Sequence, residues 1–197
     1  MPAKDKKLIL VRNDLLKEIV KITAKEGKTV FAFTNEIFEQ ALKAHRMQTN
    51  LAEIIEFFEL MKLQKDTGAV IIRSDILDYM ANKLYEIDEE DLLKKWYNSG
   101  LWYGKYLSAK FSDQNLLETF EKLIRLWAWD LTDFSITNRG KKIQVRYVSP
   151  RLTSENTNLY LNFLEGILHA LNYRTLRNEC MKGMILLELE KQKKTTR

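Results

Sequence analysis

The chain has a single cysteine, Cys180, among its 197 residues. That excludes an internal disulfide and any metal site built from several thiolates. Histidine is almost as scarce. His45 and His169 have no second ligand at metal-binding spacing, so a zinc site is not expected. With only two prolines and seven glycines there is little turn-forming material, and helices are expected to dominate. Charges interrupt every apolar run, so none reaches the stretch of about 20 residues that a membrane span needs. The opening Met1-Pro2-Ala3-Lys4-Asp5-Lys6-Lys7 lacks the apolar core of a signal peptide. Glycine-rich phosphate loops and dinucleotide fingerprints are missing as well. Together these absences predict a cytoplasmic protein with no cofactor, no metal and no enzyme activity.

What is present is a globular composition. At 45% hydrophobic and 30% charged residues the chain is neither disordered nor fibrous, and its length suits one large domain or two small ones. The net charge of +5 is unevenly placed. Lys4, Lys6, Lys7, Arg12, Lys17, Lys21, Lys25 and Lys28 crowd the beginning, and Lys191, Lys193, Lys194 and Arg197 close the chain. Glu86, Asp88, Glu89, Glu90 and Asp91 form an acidic run that reads as a solvated face. Clustered lysines neutralise phosphates and give salt-dependent nucleic-acid binding. Lysines at a terminus also serve simply to keep a chain soluble.

Periodicity supplies the elements. Leu8-Ile9-Leu10-Val11 is a short strand-like run, and helical spacing follows from Leu15 to about Glu26, with Gly27 as its stop. Val30-Phe31-Ala32-Phe33 suits a strand or a helix equally, and Thr34-Asn35 reads as the cap of a second helix. A third helix is expected after Thr49-Asn50. Ala69-Val70-Ile71-Ile72-Arg73-Ser74-Asp75-Ile76-Leu77 then echoes Leu8-Ile9-Leu10-Val11-Arg12-Asn13-Asp14-Leu15-Leu16. The echo ends after nine residues, so it reads as a shared strand-to-helix vocabulary rather than a duplication. Further helices are expected over 89–109, 113–128 and 156–171, and strands over 134–138, 142–148, 173–179 and 184–190. The resulting fold class is α+β: an N-terminal strand-helix-helix, then an antiparallel sheet covered by helices. The expected divisions are 1–48, a connecting helix over 49–68, and 69–197.

Candidate chemistry is thin. His169 sits beside the apolar stripe of the 156–171 helix and reads as a satisfied structural histidine, and Cys180 as a buried inert thiol. A hidden catalytic pair of Cys180 and His169 requires the two within hydrogen-bond reach. The aromatics are more suggestive. Trp96, Trp102, Trp127 and Trp129 lie close together in sequence, among Tyr97, Tyr103, Tyr106, Phe111 and Phe120. Such rings fill a core, build an interface, or line a pocket.

Four segments in order carry a resemblance. They are Asn98-Ser99-Gly100-Leu101-Trp102-Tyr103-Gly104, the passage from Leu126 to Ile136, Asn162-Phe163-Leu164-Glu165-Gly166-Ile167-Leu168, and Glu179-Cys180-Met181-Lys182-Gly183. Over about 70–190 the chain resembles the 4-vinyl-reductase small-molecule-binding domain, a relative of the transport-protein-particle fold. The resemblance implies a dimerising α+β fold with an apolar cavity. Some members hold a metal through extra cysteines or histidines, which this chain lacks. Gly166 is then a close-approach position, and Gly183 a turn position of positive φ. Residues 5–45 more faintly resemble ribbon-helix-helix DNA-binding proteins: a basic strand, a helix ending in Lys25-Glu26-Gly27, and a second helix. Leu8 and Leu10 on the outward face of that strand cannot read bases.

These readings combine into one expectation: a homodimeric, ligand-responsive DNA-binding transcriptional regulator. Its DNA contacts are Lys4, Lys6, Lys7, Arg12 and Lys28, and a small apolar ligand lies among Trp96, Trp102, Trp127, Phe163 and Cys180. The expected partners are a second copy, double-stranded DNA and that ligand. The alternative is a protein-interaction and dimerisation module that binds neither DNA nor ligand.

Overall fold

The computed structural model describes residues 7–112, 115–128 and 130–192, and for Trp127 the backbone only. The chain forms two compact units, Met1–Glu59 and Leu60–Arg197.

The first unit is helical. Its elements are α1 (Asn13–Glu26), α2 (Val30–Arg46) and the beginning of α3 (Leu51–Asp66). The ambiguous Val30-Phe31-Ala32-Phe33 segment is helical because Thr29 caps it, its hydroxyl accepting from the Ala32 N–H at 3.1 Å. Thr34 and Asn35, expected as caps, lie inside the helix instead. Their side chains donate back to the carbonyls of Val30 (2.8 Å) and Phe31 (2.7 Å). Asn50 and Glu53 open α3 as a reciprocal cap: the Glu53 N–H donates to Asn50 at 3.0 Å, and the Asn50 amide donates to the Glu53 carboxylate at 2.7 Å.

The N-terminal strand expected at residues 8–11 is not formed. This segment is coil and joins no strand among the described residues, and Leu8 and Leu10 are each 91% exposed. A lone apolar tetrapeptide has no ladder to join, so strand propensity alone leaves it as coil. The same is true of residues 70–72, where Val70 is 83% exposed. The echo between the two segments is nevertheless structural on a local scale. Arg12 pairs with Asp14 at 2.9 Å and Arg73 with Asp75 at 3.0 Å, and each pair opens a 14-residue helix that has no side-chain cap. The strand-helix-helix expected at the front of the chain is therefore a run of helices.

The second unit contains α4 (Ser74–Ile87), α5 (Glu89–Lys110), α6 (Leu116–Trp127), β1 (Asp133–Arg139), β2 (Lys142–Val148), α7 (Ser154–Ala170), β3 (Tyr173–Met181) and β4 (Met184–Lys191). The four strands form one sheet in the order β1-β2-β4-β3, antiparallel throughout. The α+β class and the helix-packed antiparallel sheet are thus as the sequence predicts. Strict alternation sets the register. Ile143, Val145 and Tyr147 of β2 and Ile185, Leu187 and Leu189 of β4 are buried on one face, with Phe134 from β1. The opposite face carries exposed ion pairs, Lys142–Glu188 at 2.8 Å and Arg174–Glu190 at 3.4 Å. Solvent screens such pairs, so the apolar face, not the charges, fixes the sheet.

Helix α7 lies between α5 and the sheet. Its contact with α5 is made backbone to backbone. A Cβ placed on Gly100 would meet the Phe163 carbonyl oxygen at 2.1 Å, and one on Gly166 would meet the Tyr97 carbonyl oxygen at 2.2 Å. No side chain fits there, and the close approach that Gly166 is expected to permit is realised.

Aromatic rings continue the core in an unbroken series. Phe120 meets Phe134 edge-on at 5.9 Å, Phe134 meets Tyr147 at 6.2 Å, and Tyr147 stacks on Tyr160 at 5.8 Å. Tyr160 then touches Trp96 at 5.4 Å, Trp96 touches Phe163 at 6.3 Å, and Phe163 touches Tyr103 at 6.1 Å. Burial raises the phenol pKa of both Tyr103 and Tyr160 to about 12 and pushes Tyr147 higher still.

Two outcomes follow from this packing. Gly166→Ala is expected to destabilise the protein by about 3 kcal/mol, read as a lower urea midpoint. A loss below about 1 kcal/mol would show that α5 and α7 separate freely. The tyrosines set an alkaline limit. An unfolded phenol ionises near pH 10, so the stabilisation from keeping Tyr103 and Tyr160 neutral is complete below about pH 10. It is lost as pH rises towards about 12. Phenolate absorbance and far-UV dichroism, followed together, are expected to change in one step over that range, and Tyr160→Phe to reduce its amplitude.

Candidate ligand site

The first turn of α7 departs from the rest of that helix. Thr153 caps it, accepting from the Asn156 N–H at 3.1 Å, and this places the Asn156 side chain inside the unit at 1% exposure. The Asn156 amide group donates to the Asp78 carboxylate of α4. Its side-chain carbonyl oxygen, also buried, has no hydrogen-bond partner among the described residues. One turn along α4 from Asp78, the buried side-chain oxygen of Asn82 is likewise unpartnered.

One turn along α7 from Asn156 stands Tyr160. Burial is the main cause of its raised pKa, with the negative fields of Asp130 and Asp78 adding to it, so both carboxylates bear on this ring. Asp130 accepts a hydrogen bond from the Ser149 hydroxyl at 2.6 Å. The buried Tyr147 hydroxyl has Ser149 as a near neighbour but makes no hydrogen bond of ordinary geometry. The β3–β4 turn is tied to the same region: the Gly183 N–H (φ 74°) donates to the Thr157 hydroxyl at 2.9 Å, and the Ser149 N–H donates to the Gly183 carbonyl at 2.8 Å. Asp78 and Asn82 of α4, Asn156 of α7, and Asp130 thus present more acceptor oxygens than donors.

Of the ring residues expected to hold a ligand, Trp96 and Phe163 are brought together, each partly buried, and Trp96 also touches Tyr160. Trp102 is not with them. It is 51% exposed and stacks on Tyr106 at 5.6 Å. The Trp127 side chain and the whole of Trp129 lie outside the described residues. Cys180 donates to the Asn158 carbonyl oxygen at 3.1 Å, and the Asn158 amide group donates to the Tyr85 hydroxyl at 3.0 Å. Burial pushes the Cys180 thiol pKa up, which keeps it protonated and unreactive. His169 bonds through Nδ1 to the Tyr97 hydroxyl (2.8 Å) and through Nε2 to Thr175 (3.0 Å). With their hydrogen bonds made elsewhere, Cys180 and His169 form no catalytic pair.

Sequence reasoning missed Asp78, Asn82, Asn156 and Tyr160. One signal was available: Asn156 falls at the start of the stripe that continues through Leu159, Phe163 and Ile167, a polar residue where helical periodicity puts apolar ones.

The expected DNA contacts do not assemble. Lys4 and Lys6 lie outside the described residues, and Lys7 is in exposed coil. Arg12 is engaged by Asp14. Lys28 bonds Glu36 at 2.8 Å and Glu26 at 3.3 Å, and these carboxylates, Glu36 foremost, raise its pKa. Among the described residues no helix is long and apolar enough to cross a membrane, and no group of three histidine, cysteine, aspartate or glutamate side chains is placed to hold a metal ion.

No family model and no curated protein matches the sequence. Solved structures that resemble it include a protein of the H-NOX family studied for the function of heme distortion. That likeness has 15% identity, covers 75% of this chain and 92% of that one, and has a TM-score of 0.43. Another is an oxygen-binding H-NOX domain related to soluble guanylate cyclases, in its oxygen complex, with 15% identity, 82% and 96% coverage, and a TM-score of 0.40. These are H-NOX domains, and no family model supports a 4-vinyl-reductase-type domain over 70–190 or a ribbon-helix-helix protein over 5–45. Neither resemblance stands. The DNA-binding transcriptional regulator is not supported, since its expected contacts do not assemble, and no match supports the alternative of a module that binds neither DNA nor ligand.

Proposed function

We propose that the unit Leu60–Arg197 is a non-catalytic small-molecule-binding domain, with its ligand lying against Trp96, Tyr160 and Phe163 beside the first turn of α7. One observation carries this reading. Asn156 is 1% exposed, yet among the described residues its side-chain carbonyl oxygen has no partner. A buried acceptor left unpaired costs about 1–3 kcal/mol, and a bound ligand offsets that cost directly. The partly buried rings next to it supply the apolar wall of a small-molecule site.

A binding role suits the ionisable groups better than turnover. The tyrosines of the site are held neutral by burial, and the Cys180 thiol is held protonated. Neither exchanges a proton readily near neutral pH or acts there as a nucleophile.

Heme, with which the H-NOX structures are associated, calls for an axial ligand such as a free imidazole, a thiolate or a phenolate. The residues present do not fit that need. His169 has both ring nitrogens in hydrogen bonds, and His45 lies exposed in the first unit. Cys180 and the tyrosines of the site are shifted away from their anionic forms. No step is derived through heme.

The reading is tested by thermal denaturation of the full chain against a panel of small aromatic compounds that are neutral, cationic or anionic. At least one class is expected to raise the midpoint, and Trp96→Ala to abolish the rise while leaving dichroism unchanged. A panel in which no compound shifts the midpoint or perturbs tryptophan fluorescence would overturn it.

A further inference from the structure

The chemistry of the site narrows the ligand class, an inference that rests on the binding-domain reading above. Asn156 of α7 bonds Asp78 of α4, Asn82 stands one turn along α4 from Asp78, and the buried side-chain oxygens of both asparagines are without a partner among the described residues. All of them accept hydrogen bonds; none donates. Two carboxylates, Asp78 and Asp130, bear on Tyr160. Several other carboxylates of this unit are matched with cations: Asp66 with Lys110, Asp91 with Lys95, Asp133 with Arg146, and Glu188 with Lys142. Among the described residues, neither Asp78 nor Asp130 forms an ion pair with lysine or arginine. Their hydrogen bonds come from neutral groups, the Asn156 amide and the Ser149 hydroxyl. Partly buried anions with neutral partners and spare acceptors next to them attract a cation that carries N–H groups. The ring faces of Trp96 and Tyr160 favour the same charge.

We infer that the Asp78–Asn82–Asn156 cluster of this unit binds the ammonium group of a small protonated amine, whose apolar body lies against Trp96 and Tyr160. A primary ammonium has three N–H donors, which suits a site that offers the Asn82 and Asn156 carbonyl oxygens and a carboxylate.

Isothermal titration of the full chain with three probes of one shape decides the matter: phenethylammonium, neutral phenethyl alcohol and anionic phenylpropionate. The ammonium is expected to bind at least about tenfold more tightly than the alcohol, and the anion not at all. Asp78→Asn keeps an acceptor for the Asn156 amide and so preserves the local contact. It is expected to weaken the ammonium by about tenfold and to leave the alcohol unchanged. Should that variant misfold by dichroism, the ranking of the three probes on the unaltered chain carries the test alone. Alcohol or anion binding as tightly as the ammonium would overturn the amine class and leave the binding domain standing. If none of the three binds, the amine class is overturned, and the thermal panel above decides separately whether the binding domain stands.

Discussion

The second unit depends on one backbone contact. Helices α5 and α7 meet where Gly100 faces the Phe163 carbonyl and Gly166 faces the Tyr97 carbonyl, at separations that leave no room for a Cβ on either side. The contact is reciprocal, so each helix supplies both the gap and the group that fills it. Side chains flanking it are brought into register as a consequence. Trp96 reaches Phe163 and Tyr160, and Tyr97 reaches His169 at 2.8 Å. Were the helices to stand at the usual 8–10 Å, with side chains interleaved, these pairs would not close.

The opposite side of α7 is equally committed. Leu164 and Leu168 are fully buried there, and the β3–β4 turn is hung on its first turn through Thr157. A helix gripped on both faces cannot move to satisfy its own polar groups. Asn156 therefore keeps its position with a carbonyl oxygen unpaired, because releasing it would break the Thr153 cap and the Asp78 contact together. The rigidity that builds the core also preserves the imperfect spot within it, a combination expected where a protein binds something.

Helices and strands of the second unit were legible because each has a clean period. The β2 run Lys142-Ile143-Gln144-Val145-Arg146-Tyr147 alternates without a fault, and α7 carries its stripe from Leu159 to Ile167. Strand propensity misled at residues 8–11 and 70–72, since a strand is defined by its partner and no local signal names one. The Thr34-Asn35 cap was misplaced for a related reason: these residues satisfy themselves by bonding back one turn inside a helix already opened by Thr29. Candidate ligand residues were half legible. Trp96 and Phe163 are conspicuous in the sequence, whereas Asp78 and Asn82 come from a helix whose docking on α7 no periodicity reveals. The front lysines failed as a DNA surface because charge density along a chain says nothing of pairing, and Lys28 is held by two glutamates.

Water alone satisfies part of what the site lacks, and the comparison shows why a larger ligand is favoured. A water molecule has two donors, enough for the oxygens of Asn82 and Asn156. It has no apolar surface to lay against Trp96, Tyr160 and Phe163, which are only partly covered by the unit itself. Covering apolar area is worth about 25 cal/mol per Å², so a ligand with a flat apolar body gains several kcal/mol that water does not, even before its charge is counted. The charge then discriminates among such ligands. Asp78 and Asp130 repel an anion, a neutral molecule leaves them with the partners they already have, and a cation gives them the counter-charge that other acids of this unit find in lysine or arginine. Apolar contact favours a ligand with a flat apolar face, and electrostatics favours one sign of charge.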